Sequence, residues 1–225
     1  MSSVLAIFAK APLVGQVKTR LCPPLLPAEA TKLYRCFLLD SVARACSVPD
    51  VDVCLAFTPI DSESLFRELL PFSLRYLPQR GASLGEREAN VFTDLLQVGY
   101  DRVIIVGSDI PTLPLAHLEN AFILLADPQN DVVIGPSADG GYYLLGARRL
   151  HSILFENINW STATVFAETL AQAQQARLRV AQVPTCYDVD EKDDLQKLIT
   201  ELTPPGNAIR APRTRVLLER LGLFS

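Results

Sequence analysis

Three groups of polar residues in the 225-residue chain are of types that handle phosphate or a metal ion. The stretch KAPLVGQVKTR gathers Lys10, Gly15, Lys18, Thr19 and Arg20. Its cations neutralise phosphate, and the amides of a glycine-containing loop ahead of a helix point towards it. A solvated positive loop is the alternative. The stretch is not a Walker A loop, because Val17 rather than glycine precedes Lys18-Thr19, and a P-loop ATPase is rejected. In the string VGSDIPT, Asp109 directly follows an apolar run. Mg²⁺ prefers oxygen ligands and takes only one or two protein carboxylates, with phosphate and water filling the rest, so Asp109 is a candidate metal ligand; a turn or capping aspartate is the alternative. Asp188 and Asp190 in YDVD share one side of an extended segment by their i, i+2 spacing. One acid of this region is equally suited to cap the helical pattern that follows, which carries Leu195, Leu198 and Ile199.

These groups need elements to hold them. Apolar, strand-forming runs at 4–8, 51–57, 74–77, 102–107, 131–135, 142–146 and 179–183 alternate with helical patterns beginning near 27, 62, 85, 114 and 161. Runs such as Val103-Ile-Ile-Val106 and Val132-Val-Ile134 are apolar on both alternating faces, as central strands covered on both sides must be. The fold class is therefore α/β, a three-layer α/β/α domain with a mostly parallel central sheet. Ligands of such sheets bind beyond the carboxyl ends of the strands, which is where the three polar groups fall. Residues 1–203 are expected to form one catalytic domain, and 204–225, after the break Thr203-Pro-Pro-Gly206, a linker and short basic helix.

Composition narrows the function classes. With 21 Lys+Arg against 25 Asp+Glu, a formal charge of −4 and no basic run, the chain has no nucleic-acid-binding surface. The five cysteines include no CxxC pair and read as buried thiols in a reducing compartment. The early apolar stretch is short and followed by Lys10, Lys18 and Arg20, so it is no signal peptide, and no apolar run is long enough to span a bilayer. A cytoplasmic location is expected, and a homodimer is left open.

The strings FAKAPLVGQVKTRL, LGER, GYDRVIIVGSDIPTL, DVVIGPSADGGYYLLG, WSTATV and YDVDEKDDL resemble the DUF2064 family in its own order, over about residues 4–200. That family is glycosyltransferase-like and belongs to the nucleotide-diphospho-sugar transferase (GT-A) superfamily, close in fold to nucleotidylyltransferases. The resemblance implies a Rossmann-like GT-A fold and a metal-dependent transferase with a nucleotide-sugar donor and a small-molecule acceptor. Nucleotidyl transfer from a nucleoside triphosphate is the alternative. It implies that Lys10, Lys18 and Arg20 face donor phosphates, with Lys18, Arg20 and Asp109 as catalytic residues and Gly15 in the phosphate loop. Gln79, Gly81 and Arg87 would belong to the nucleotide pocket. Asp109, with Asp188 or Asp190, would hold Mg²⁺ or Mn²⁺. Position 107 is Gly where many glycosyltransferases of this fold start a DxD, and a lone strand-end Asp with a basic first loop is nearer the nucleotidylyltransferase pattern.

Two other patterns carry expectations. In Asp139-Gly-Gly-Tyr-Tyr143, Gly140 and Gly141 permit close approach of a ligand to the backbone, and Tyr142 offers a ring and a hydroxyl; Trp160 joins them as acceptor-pocket or sugar-pocket candidates. A glycine-enforced hairpin with core aromatics serves equally well. Ser161 is expected to cap the helix that follows it. Gly81-Ala-Ser83-Leu-Gly85 matches the GxSxG of serine hydrolases, but neither His117 nor His151 clearly ends a strand, so a hydrolase is the minor reading. A non-catalytic nucleotide-binding module is the remaining one.

Overall fold

A computed structural model describes residues 2–224. Its sheet contains β1 (Ser3–Lys10), β2 (Asp52–Thr58), β3 (Arg75–Pro78), β4 (Arg102–Gly107), β5 (Val132–Pro136), β6 (Tyr142–Ala147) and β7 (Val180–Gln182). The strand order is β3-β2-β1-β4-β6-β5-β7. Only β6 runs antiparallel to its neighbours, β4 and β5. The chain thus forms the expected mostly parallel sheet, and its order reverses direction between β1 and β4, the position where such sheets bind ligands.

The period of two along each strand builds the layers. Leu5, Ile7, Leu55, Phe57, Ile104 and Val106 face one apolar cluster, which receives α1 (Pro27–Ala45), α2 (Glu63–Leu69), α4 (Leu115–Ala126), α6 (Lys192–Leu202) and α7 (Pro212–Arg220). Their neighbours Val4, Ala6, Cys54, Ala56, Val103 and Ile105 face a second cluster under α3 (Leu84–Gln97) and α5 (Val165–Gln175). All five cysteines are free thiols. Among the described residues no helix is long and apolar enough to cross a membrane.

The C-terminal segment is bound to the larger cluster through a charge. Asp40 of α1, buried, accepts from the backbone N–H of Thr214 at 2.9 Å and of Arg213 at 3.2 Å, satisfying free donors in the first turn of α7. Thr214 and Leu218 of α7 are buried.

The helix expected from Ser161 starts later. Ser161 takes φ 65 and α5 begins at Val165, with Thr164 in the cap position. The cause is Glu168, whose carboxylate accepts from Asn159 N at 2.7 Å, Asn159 Nδ2 at 2.8 Å and Thr164 Oγ1 at 2.8 Å. Those bonds hold residues 159–164 as a loop.

Candidate active site

The register of the two central strands sets the site. Ile7 pairs with Val106 and Phe8 with Gly107, so the loop after β1 and the Asp109 turn after β4 emerge side by side. The acidic segment arrives by a different route. Val183 N donates to Ile134 O at 3.0 Å, Cys186 N to Pro136 O at 3.1 Å and Val189 N to Asp109 O at 2.9 Å, fastening residues 183–189 along the end of β5 and then to Asp109 itself.

Lys18 joins the three pieces. It adopts the left-handed conformation (φ 50, ψ 37), which is uncommon for a long side chain and persists only where surrounding structure holds it. Its side chain is 5% exposed, with Nζ 2.9 Å from Asp109 Oδ1 and 2.6 Å from Asp190 Oδ1. Burial alone would drive this lysine towards neutrality, but the Asp109 and Asp190 carboxylates outweigh it and hold the amine above its ordinary range. Beneath it lie the rings of Tyr34 and Phe37, at 5.8 and 5.9 Å from Nζ. The Tyr34 hydroxyl shares a 3.1 Å hydrogen bond with Ser108 Oγ and accepts from Lys10 N at 3.0 Å, fixing both strand ends.

The carboxylates outnumber that lysine. Burial raises Asp188 to about 7, reinforced by the charges of Asp109, Asp190 and Asp139 and opposed by Lys18. Asp188 has no hydrogen-bond donor among the described residues. Excess negative charge built from hard oxygen donors suits a divalent cation. Among the described residues these side chains do not close into a ready three-ligand site.

A cavity of about 480 Å³ opens beside this cluster, with Arg20, Glu88, Asp139, Tyr142, Trp160 and Asp188 in its wall. A second, of about 310 Å³, shares Arg20, Asp139, Asp188 and Asp190 and extends to Lys197. Trp160 stands edge-on to Tyr142, with centroids 6.4 Å apart and planes at 79°. It also covers Gly85 so closely that a Cβ there would lie 2.6 Å from Trp160 Cε2. Gly140 has φ 92, and a Cβ on it would meet the Ala163 backbone, so the Asp139–Gly141 turn closes against the Trp160 loop.

The two walls take in Arg20, Asp188, Asp190, Gly141, Tyr142 and Trp160; Lys18 and Asp109 are in neither wall but join them through the 2.6 Å contact of Lys18 with Asp190, and Gly140 is in neither. Five other candidates lie outside both cavity walls. Lys10 Nζ donates to Gln16 O at 2.9 Å. Gly15 is exposed with φ 76. Gln79 Nε2 donates to Ala56 O at 2.7 Å across the ends of β1 and β2, and Arg87 Nε donates to Gly81 O at 3.1 Å. Ser83 is the N-cap of α3, accepting from Glu86 N at 3.1 Å, while His117 meets Tyr143 and Cys186; neither histidine bonds Ser83 among the described residues. That serine is a helix cap.

Sequence reasoning missed Glu88. It is 5% exposed, its Oε2 accepts from the Tyr142 hydroxyl at 2.6 Å, and burial raises its carboxyl to about 7 against the lowering effect of that bond. The signal was present: Glu88 shares the helical stripe of Leu84, Val91, Phe92 and Leu95, where a charge needs a reason.

A family profile described as "uncharacterized protein conserved in bacteria (DUF2064)" matches residues 41–162, more than half of the chain. The chain belongs to the DUF2064 family. The 2-phospho-L-lactate guanylyltransferase of Methanothermobacter thermautotrophicus (strain Delta H) is 31% identical over 191 residues, covering 81% of this chain and 78% of the relative. A crystal structure from Desulfovibrio desulfuricans G20, of a protein ascribed to the nucleotide-diphospho-sugar transferases, superposes with a TM-score of 0.91 at 33% identity, covering 100% of this DUF2064 protein and 97% of that chain. The CMP:2-keto-3-deoxy-manno-octonic acid synthetase shares the fold at 16% identity, with a TM-score of 0.58 over 88% of this chain and 97% of its own. The DUF2064 protein is thus a transferase with the nucleotide-diphospho-sugar transferase fold.

Proposed function

We propose that this transferase moves a nucleotidyl group from a nucleoside triphosphate to an oxygen of a small-molecule acceptor, with Mg²⁺ or Mn²⁺ as cofactor. This reverses the order of the two sequence-based readings, in which glycosyl transfer came first. The observation that carries it is the site's charge plan: one lone strand-end aspartate, Asp109, with Gly at 107, faces a buried lysine of the first loop at 2.9 Å. The guanylyltransferase relative, 31% identical over most of both chains, supports the same order.

In this reading the triphosphate lies across the ends of β1 and β4. The acceptor oxygen bonds to the α-phosphorus, the bond from that phosphorus to the bridging oxygen of the β-phosphate breaks, pyrophosphate leaves, and where the acceptor is a hydroxyl its proton passes to solvent. Asp109, with Asp188 or Asp190, would hold the divalent cation, which offsets phosphate charge in the transition state. Lys18, kept charged by its two carboxylate partners, meets the α-phosphate. Arg20, with a side chain 73% exposed, meets the departing pyrophosphate. Lys10, Gly15, Gln79, Gly81 and Arg87 border the base and outer phosphates. Gly140, Gly141, Tyr142 and Trp160 border the acceptor.

Glycosyl transfer from a nucleotide-sugar is the second reading, favoured by the description of the 33% identical Desulfovibrio protein. Calorimetry with the four ribonucleoside triphosphates and with UDP- and GDP-sugars, each with and without Mg²⁺, separates them. One triphosphate is expected to bind in a Mg²⁺-dependent way; binding of a nucleotide-sugar with no triphosphate bound overturns the proposal.

A further inference from the structure

Glu88 is the one buried acid in the cavity wall that neither the metal nor the donor phosphates employ. One of its oxygens is committed, since Oε2 accepts from Tyr142 at 2.6 Å. The other has no donor among the described residues, and the residue faces the cavity. That second oxygen is open to the cavity while the rest of the residue is buried, so it is an acceptor available to a ligand. Around it the cavity holds Asp139, Asp188 and Asp190, with Arg20 as the cation in the wall, and Arg20 already lies 3.3 Å from Glu191. Lys18 lies between Asp109 and Asp190 and is not part of this wall. An acceptor bearing phosphate or carboxylate at Glu88 would meet the like charge of that carboxylate and of Asp139, neither of which is among the carboxylates assigned to the cation.

We propose that Glu88 determines acceptor specificity: its free carboxylate oxygen, beside the rings of Tyr142 and Trp160, receives a hydroxyl of an uncharged, polyhydroxylated acceptor and rejects an anionic one. The proposal rests on the transferase reading above for its meaning but not for its test. Aromatic rings offer a surface to the C–H faces of a polyol, while a carboxylate orders its hydroxyls, a common division between shape and orientation. It also separates this chain from its relative, whose name specifies a phosphorylated acid.

Trp160 is the only tryptophan in the chain, so its emission reports occupancy of this cavity directly. The probes are glycerol, D-glucose and myo-inositol, against 2-phospholactate, titrated into the full-length protein. The neutral probes are expected to shift the emission, with affinity at least tenfold weaker in Glu88→Gln. Wild-type affinity should fall as the pH drops through about 7, because a protonated carboxyl is the poorer acceptor. Asp188 titrates in the same range but remains in Glu88→Gln, so the difference between the two profiles belongs to Glu88. Tyr142→Phe, which removes the donor to Oε2, should move the midpoint to higher pH, and it serves where Glu88→Gln fails to fold. A response to 2-phospholactate alone, a flat response to every probe, or a midpoint unmoved by Tyr142→Phe overturns the assignment. Calorimetry of Mg²⁺-nucleotide on the wild type keeps the two readings apart: nucleotide binding without a probe response sinks only the acceptor assignment, and absence of nucleotide binding sinks the transferase reading.

Discussion

Lys18 Nζ lies 2.6 Å from Asp190 Oδ1, although the two residues are 172 positions apart. The same ammonium reaches Asp109 at 2.9 Å, so one side chain holds together the loop after β1, the turn after β4 and the acidic segment after β7. A charge this buried is sustained only by its partners. The pairing also explains how a fold with a net charge of −4 keeps a positive group where phosphate would lie.

Replacing Lys18 with Met should therefore be costly. It leaves Asp109, Asp188, Asp190 and Asp139 without their buried cation, for a loss on the order of 3 kcal/mol after allowance for the partial exposure of the carboxylates. Thermal melts in EDTA and in Mg²⁺ check this. The variant should melt lower than wild type in EDTA and gain more from Mg²⁺ than wild type does, since the ion replaces the missing charge. Equal Mg²⁺ shifts in the two proteins would mean that the carboxylates do not share a cation site.

Asp109→Asn removes a proposed metal ligand while keeping shape and the hydrogen bond from Val189 N to the backbone. Mg²⁺-dependent nucleotide affinity should fall at least a hundredfold, and the residual Mg²⁺-independent affinity should change little. Calorimetry with and without the metal reads both, and an undiminished Mg²⁺ effect would remove Asp109 from the metal site.

Much of this arrangement can be read from local pattern. The alternation in Val103-Ile-Ile-Val106 distributes Ile104 and Ile105 to opposite clusters, as observed, and it fixes the strand end at which Asp109 stands. The i, i+2 spacing of Asp188 and Asp190 brings both carboxylates towards Lys18 and Asp109. What pattern does not contain is pairing across distance. Tyr34 looks like another apolar member of the α1 stripe, yet its hydroxyl bonds Ser108, 74 positions away. Asp40 looks like a solvated helix residue until α7 covers it. The late start of α5 follows from a side chain, Glu168, reaching back to Asn159, which outweighs the capping preference of Ser161. Cations in the first loop illustrate the same limit: Lys10 and Lys18 are alike in sequence, but one turns to Gln16 O and the other to the acidic cluster.

Gly85→Ala tests the pocket from behind. The added Cβ would stand 2.6 Å from Trp160 Cε2, so the indole must move. Overpacking of this kind costs about 1–3 kcal/mol. Trp160 emission should shift to the red as the ring leaves Tyr142, and KM for the acceptor should rise more than kcat falls, with the nucleotide KM nearly constant. An unaltered emission spectrum would show that the ring is not held by Gly85.

The last prediction concerns stability and pH. Glu88 titrates near 7 in the folded protein against an ordinary value of 4.5. Its pKa is raised by folding, so the folded state binds the proton more tightly than the unfolded one. The associated stability is fully present below about 4.5 and is lost progressively as the pH rises through about 7. A shift of this size corresponds to roughly 3 kcal/mol between the two limits. Glu88→Gln cannot ionise, keeps an oxygen for the Tyr142 hydroxyl, and should escape that loss. Its unfolding free energy in urea should therefore exceed that of wild type at pH 8 and converge with it near pH 4.5, because every other titrating group, Asp188 included, is common to both proteins. A constant difference across the range would locate the effect in packing, and a wild type that is the more stable at pH 8 would mean that Glu88 is already satisfied as a carboxylate, with no unmet charge for a ligand to serve.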